Sequence, residues 1–382
     1  MALSILLTGC SSSKQASSKN QNSSSSSNNT TSGSILIGVS TGLTGSFAAD
    51  GEKVKDGVLL AIDEINQEGG VLGKKLEATF EDDQDNPTMA VNTVNKLIGE
   101  HVVALIGPTL SATVMPVSSI VQKYKVPTLT GATSPKLLTM NNPYLFMIRA
   151  SDSITARVAA TFAVQNLKAK KIGILYNSDE MGTGAKGVIE DYLKSVGIPF
   201  VSEGHNTGDK DMTGQLTKMK NAGVDTLMVW THDQEAAVIM RQIKELNLKV
   251  NVVGNPGFAM PQELNLMDKD WVEGVYTATD IVTDDPNTVV QDFVKKFNDR
   301  YHTLPDLYAS AYYSAVKVLA DAIKRAGSTD SDKISEALRQ TKDFKTPEGT
   351  YTTDSSGALL HECIIAQIKD KTPHAVTHVS VK

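Results

Sequence analysis

From Ile35 onward the chain repeats one pattern: a short β-rich run, a stretch with apolar residues at helical spacing, then another β-rich run. Strands separated by a helix run parallel, because the crossover helix returns the chain to the same end of the sheet. The first series predicts strands over 35–40, 76–81, 102–106 and 126–130. A helix is expected over 52–67, where Val54, Val58, Ala61, Ile62 and Ile65 share one face and Gly69-Gly70 stops the element. A second series after Arg149 and Asp152 predicts strands over 171–176, 198–202, 226–230 and 250–253. Two such series in 382 residues exceed what one core organises, so the expectation is α/β with two doubly wound lobes. Helices over 308–324 and 333–340 then pack back on one of them.

Charge and composition exclude several functions. A net charge of −6 with no cluster of Lys and Arg argues against a nucleic-acid face. No apolar run inside the body reaches the roughly 18 residues of a spanning helix, so any membrane link is terminal. Two cysteines, Cys10 and Cys363, are too few for a disulfide framework and sit in unlike surroundings.

The N-terminal residues 2–7 are mostly apolar and lead into Leu7-Thr8-Gly9-Cys10, which resembles a bacterial lipobox. That resemblance implies processing before Cys10, lipid on its sulfur, and several acyl chains holding the protein to a membrane. Residues 11–33 are Ser, Asn, Gln, Thr and Lys with almost nothing apolar, a composition that cannot bury a core. As a flexible coil that tether spans about 25 Å. The basic n-region of an export signal is missing and the apolar stretch is short, which points to a start upstream of Met1.

Ligands of open α/β sheets sit beyond the carboxyl ends of the strands, so the loops after each strand matter most. Ser40-Thr41-Gly42-Leu43-Thr44-Gly45-Ser46 is followed by Ala61-Ile62-Asp63-Glu64-Ile65-Asn66 and Gly69-Gly70-Val71-Leu72-Gly73-Lys74. Further on come Glu81-Asp82-Asp83, Ile106-Gly107-Pro108 with Ser111, Gly131-Ala132-Thr133-Ser134-Pro135 and Tyr312-Tyr313. In this order and spacing the chain resembles the type I periplasmic binding proteins of the branched-chain amino-acid class, over essentially all of residues 35–382. The family fold implies two lobes joined by three crossovers, here near Ser151, Asp280 and Gly357. Residues 34–151 and 281–357 then form the first lobe, and 152–280 with 358–382 the second.

The resemblance implies an ABC-importer binding subunit, lipid-anchored outside the cell membrane. It captures a branched-chain or hydrophobic amino acid, or a related small carboxylate, and needs no cofactor or metal. Its partners are permease subunits, and its working unit is a monomer. Ser111 and Thr133 match the residues that hold the ligand carboxylate, and Gly131 matches the carbonyl offered to an ammonium. Ala132 and Asp152 belong to the same rim. From local sequence alone, Ser111 reads as a helix N-cap and Thr133 as a turn residue, and it is the resemblance that makes them ligand residues. One position departs from the family. Where amino-acid binders carry a glutamate for the ligand ammonium, this chain reads Gly254-Asn255-Pro256-Gly257. Burying an ammonium without an acid is unfavourable, so either another acid substitutes or the ligand has no amino group. Asp50, Asp179 and Asp233 lie in mouth-facing loops and are candidates. His232 and Met181 stand where the family has aromatics, and Tyr313 keeps an aromatic position beside Tyr308 and Tyr312.

Competing motifs are weaker. Gly182-Thr183-Gly184-Ala185-Lys186-Gly187 matches G-x-G-x-x-G with Glu203 further on, yet residues 177–181 intervene after the strand where a dinucleotide fingerprint needs an immediate turn. The acidic run 81–85 lacks the glycine and terminal glutamate of a calcium loop, and Asn86-Pro87 reads as a helix start. His374 and His378 share a strand face without further ligands, and Cys363 reads as a buried small hydrophobe. No nucleophile elbow or phosphate loop is present, so an enzyme is not expected. A ligand-sensing receptor module with the same clamp is the runner-up, disfavoured because no spanning run or signalling domain follows by Lys382.

Overall fold

The computed structural model describes residues 33–379; Cys10 and tether residues 11–32 fall outside them. Five strands, β1 (Ile35–Thr41), β2 (Leu76–Asp82), β3 (Leu105–Ile106), β4 (Thr128–Thr130) and β5 (Leu145–Met147), form an all-parallel sheet in the order β2-β1-β3-β4-β5. β1 is buried at nearly every position, as expected for a strand with helices on both faces. A second parallel set follows in β6 (Ile172–Asn177), β7 (Phe200–His205), β8 (Thr226–Trp230), β9 (Asn251–Gly254) and β10 (Tyr276–Thr279). A small antiparallel unit, β11 (Phe344–Thr346), β12 (Gly349–Thr353) and β13 (Leu359–Leu360), precedes the last hairpin. That hairpin, β14 (Cys363–Lys369) and β15 (Thr372–Val379), adds antiparallel strands beside β10, giving the order β15-β14-β10-β9-β8-β6-β7.

The chain therefore passes between the sheets three times, after β5, after β10 and after β13. A first-lobe end at residue 357 is corrected by the pairing. Ala358 bridges Met147, and Leu359 and Leu360 pair with Thr353 and Thr352, so the third passage falls at His361-Glu362.

The helix Ala48–Gln67 lies along Leu307–Ala326, burying Val54, Val58, Ala61, Ile62 and Ile65 against the core of the first sheet. Their crossing is so close that a Cβ at Gly57 would stand 2.1 Å from the Ala309 carbonyl oxygen. The helix Leu307–Ala326 starts on Asp306, whose side chain accepts from the Ala309 N–H, and stops at left-handed Gly327.

One strand and one glycine run differ from expectation for local reasons. The run 198–202 becomes Phe200–His205 because left-handed Gly197 closes the preceding helix, with the Ile198 N–H bonded to the Leu193 carbonyl. The glycines of the run 182–187 are not a loop before a helix. They lie inside the helix Glu180–Val196, where a Cβ at Gly182 would meet the Asn177 carbonyl oxygen at 2.0 Å. Asn86 caps the helix Pro87–Gly99 with Pro87 at its first position, and Cys363 is a free, buried thiol.

Candidate functional site

Loops at the carboxyl ends of β1, β3 and β4 in one sheet, and of β6, β8 and β9 in the other, surround a cavity of about 270 Å³. Asp50, Ser111, Gly131, Ala132, Thr133, Asp152, Met181, His232 and Pro256 all line it, as do Asp179 and Asp233.

Ser111 is the first residue of the helix Ser111–Tyr124, and its N-cap, Leu110, makes no side-chain cap. The Ser111 hydroxyl is therefore not a capping group. Its oxygen accepts from the N–H groups of Thr133 (3.2 Å) and Ser134 (3.1 Å), which leaves its proton to donate. The N–H groups of Gly131 and Ala132 are also engaged, by the Tyr312 hydroxyl and Thr130 Oγ1. The Thr133 carbonyl accepts from the Asp152 N–H at 2.7 Å. This pole offers hydroxyl donors and the positive end of a helix dipole, a combination suited to a carboxylate.

Beside it, Arg149 is buried, with Nε donating to Asp280 at 2.9 Å and Nη1 3.5 Å from the Gly131 carbonyl. Its guanidinium lies 5.2 Å from the centre of the Tyr308 ring. His361 Nε2 meets the other Asp280 oxygen at 3.2 Å. Burial works against ionising Asp280, but Arg149 and His361 outweigh it and hold the carboxyl at about 2. Each member of this triad belongs to a different passage between the sheets.

The second sheet contributes Trp230, whose indole N–H donates to Asp152 at 2.9 Å while the other Asp152 oxygen has no partner. Burial pushes the Asp152 carboxyl up to about 7, against Thr133, Trp230 and the Arg149 charge. Asp179 caps the helix Glu180–Val196 through the Gly182 N–H and also pairs with His232 Nε2 at 2.7 Å. Burial works to lower the His232 pKa, but the Asp179 hydrogen bond and charge raise it overall.

Tyr313 is the misplaced expectation. It points away from the cavity, packs against Phe293 and donates to Glu64 at 2.7 Å. A helix turns about 100° per residue, so Tyr308 and Tyr312, four apart, share the cleft-side face that Tyr313 leaves. Tyr308 lines the cavity, and Tyr312 is buried behind it with its hydroxyl donating to Thr109 Oγ1.

Sequence reasoning also missed Glu263. It is fully buried, its carboxyl is hydrogen-bonded to that of Asp233, and a Cβ at Gly257 would stand 2.3 Å from Oε2. The acid thus lies directly behind the Pro256-Gly257 turn, and burial with the neighbouring Asp233 charge raises its pKa well above the ordinary value. Only tertiary packing brings it there, although the tyrosine face was legible in the four-residue spacing.

Elsewhere, His374 pairs with Asp284, and His378 with Asp285 and Glu362, on the exposed strand β15. Asp82 accepts from the Leu43 N–H and Asp83 from the Ser40 hydroxyl, so the acidic run braces the end of β1. Among the described residues no helix is long and apolar enough to cross a membrane.

Residues 34–373 match the family model described as periplasmic binding protein. The chain is 30% identical to the leucine-, isoleucine-, valine-, threonine- and alanine-binding protein of Pseudomonas aeruginosa, covering 85% of this chain and 87% of the relative. It is 29% identical to the Leu/Ile/Val-binding protein BraC3 of Rhizobium johnstonii, over 86% and 89% of the two chains. Among solved structures, the leucine-binding protein LivK of Thermotoga maritima superposes with a TM-score of 0.85 at 26% identity, covering 91% of this chain and 99% of that one. LivJ of Streptococcus pneumoniae in complex with isoleucine gives 0.83 at 26% identity, with the same coverage. Two doubly wound sheets linked by three passages, a cavity between their carboxyl-end loops and these matches lead to one assignment: the chain belongs to the periplasmic binding proteins, as a type I member of the branched-chain amino-acid class.

Proposed function

We propose that this protein is the extracytoplasmic binding subunit of an ABC importer, tethered to the outer face of the membrane through lipid on Cys10. It captures a small amino acid or related carboxylate and performs no covalent chemistry on it. The observation that carries this reading is the pole at Ser111 and Thr133. A free hydroxyl proton and a helix N-terminus face a cavity shared by both lobes. A ligand seated there touches both lobes, favours their closed arrangement, and so presents one shape to permease subunits. The relatives, named for the amino acids they bind, support the same ligand class.

Calorimetric titration with aliphatic amino acids and short carboxylic acids tests this. A hydrogen bond to a charged group contributes about 1.5–3 kcal/mol, so Ser111→Ala and Thr133→Ala should each weaken carboxylate binding roughly tenfold to a hundredfold. Wild-type affinity in both variants would refute the placement. Globomycin-sensitive membrane fractionation of Cys10→Ser against wild type tests the anchor.

A further inference from the structure

We propose that the first lobe carries a second small-molecule site, behind the cleft-facing helix Leu307–Ala326, and that this site takes a single-ring aromatic carboxylate.

A cavity of about 190 Å³ lies where three elements meet, and it shares no residue with the cleft. The helix Thr288–Tyr301 presents Val289, Phe293 and Lys296, a stripe at spacings of four and three. The helix Leu307–Ala326 presents Tyr313 and Lys317, and β11 closes the space with Phe344 and Lys345. Tyr313, which turns away from the cleft, is therefore a wall of this cavity.

The inner walls are apolar. The Phe293 and Tyr313 rings lie 4.9 Å apart, inclined at 45°, and are 2% and 8% exposed. Val289 and Phe344 flank them half-buried. An apolar cavity of about 150 Å³ holds a benzene ring, so this one has room for one ring and a short polar tail. Three aromatic side chains around the space favour an aromatic guest over an alkyl chain, because rings gain from edge and offset contacts as well as from burial.

The hydroxyl protons around that space are already committed. Tyr313 donates to Glu64, Ser314 to the buried Glu348 at 2.7 Å, and Thr346 to the Gly349 carbonyl at 2.9 Å. The side-chain donors left for a guest are ammonium groups. Lys296 and Lys317 share Glu64 at 3.1 and 3.3 Å, and Glu68 stands 3.8 Å from Lys317. An ammonium has three donors, so both lysines keep donors for a second anion, and Lys345 adds a third cation from the exposed position of β11. The Lys317 side chain is only 23% exposed and its ammonium lies 5.9 Å from the centre of the Tyr313 ring, which sets positive charge directly beside the aromatic wall. Asp292, the one acid in the lining, is exposed, where solvent and salt screen it. A guest with its ring inside and its carboxylate outward meets both halves of the site, whereas an amine would face three ammonium groups.

Crystals of the full chain soaked with 4-bromophenylacetate, together with calorimetric titration of phenylacetate and of benzylamine, test this. The anomalous bromine signal should fall between the helices Thr288–Tyr301 and Leu307–Ala326, and phenylacetate should bind at least tenfold tighter than benzylamine. Titrations are repeated on the double variant Ser111→Ala with Thr133→Ala, so that binding in the cleft and binding here are read separately. Val289→Trp, which fills the cavity from a half-buried position, should weaken phenylacetate binding at least tenfold. Lys345→Glu, an exposed substitution that carries the test if Val289→Trp fails to fold in a thermal melt, should weaken it at least threefold. Bromine in the cleft alone or nowhere, or a crystal signal without binding in solution at millimolar phenylacetate, overturns the second site. Benzylamine binding as tightly as phenylacetate, or wild-type affinity in Lys345→Glu, overturns the carboxylate assignment. None of these results bears on the cleft, whose own test is the loss of binding in the Ser111 and Thr133 variants.

Discussion

Asp280→Asn tests whether the three passages between the lobes are held by a buried charge network. In the native protein Asp280 is fully buried and shared by Arg149 and His361. The amide keeps the shape but leaves the Arg149 cation without a counter-charge in the interior, and removing one partner of a buried pair costs about 3–5 kcal/mol. For a body of about 350 residues the unfolding entropy is roughly 0.7 kcal/mol/K, so Tm should fall by roughly 4–7 °C at pH 7. The pH dependence supplies an independent check. Asp280 titrates at about 2 in the folded protein against an ordinary 3.8. A depressed carboxyl contributes stability above its unfolded value, here about 2–3 kcal/mol, lost as pH falls through about 4 to 2. His361 has the opposite sense. Burial works to lower its pKa, but Asp280 raises it above 6.5, so its contribution is complete below that value and disappears as pH rises through the folded pKa. Differential scanning calorimetry of wild type and Asp280→Asn from pH 2 to 8 reads all three. In the variant both slopes should flatten. The double variant Arg149→Met with Asp280→Leu, which removes both charges, should recover most of the lost Tm. A Tm within about 1 °C of wild type for Asp280→Asn, or a double variant no more stable than the single, would refute the account.

Two further outcomes follow from packing. Gly57→Ala should destabilise by about 2–3 kcal/mol in urea unfolding, since the methyl meets a backbone carbonyl that no side-chain motion can clear; Gly99→Ala, with open space around its Cβ, should not. Tyr313→Phe should leave ligand affinity measured by calorimetry unchanged, whereas Tyr308→Ala, which removes a ring lining the cavity, should weaken it about tenfold.

How far the sequence reaches is visible at single positions. The β8 range 226–230 was legible to the residue, because a fully buried parallel strand is a continuous apolar run. The helix over 52–67 was legible in its body and end but not its start, since the N-cap residue Phe47 makes no side-chain cap and Ala48 to Gly51 carry no apolar stripe. At the site, the loops after β3 and β4 were readable as cavity-facing, but Ser111 and Thr133 were singled out by the resemblance, since local sequence alone reads them as a cap and a turn residue. The Tyr313 choice failed because a family match names a position without its rotation about the helix axis. Glu263 was invisible, since its significance depends on the closeness of Gly257, six residues away in the chain and reached by a turn.

What the sequence determines by itself is local and periodic: which runs are strands, which are helices, and that the loops between them form one rim. These properties depend on residues within a few positions of one another. Which acids are left without partners, which cation is already committed, and where the chain passes from lobe to lobe are settled by contacts between residues 78 to 131 positions apart, such as Trp230 with Asp152, Asp280 with His361 and Arg149 with Asp280. Only the tertiary structure brings those groups within hydrogen-bonding range, where burial in a low-dielectric interior strengthens their charge pairing.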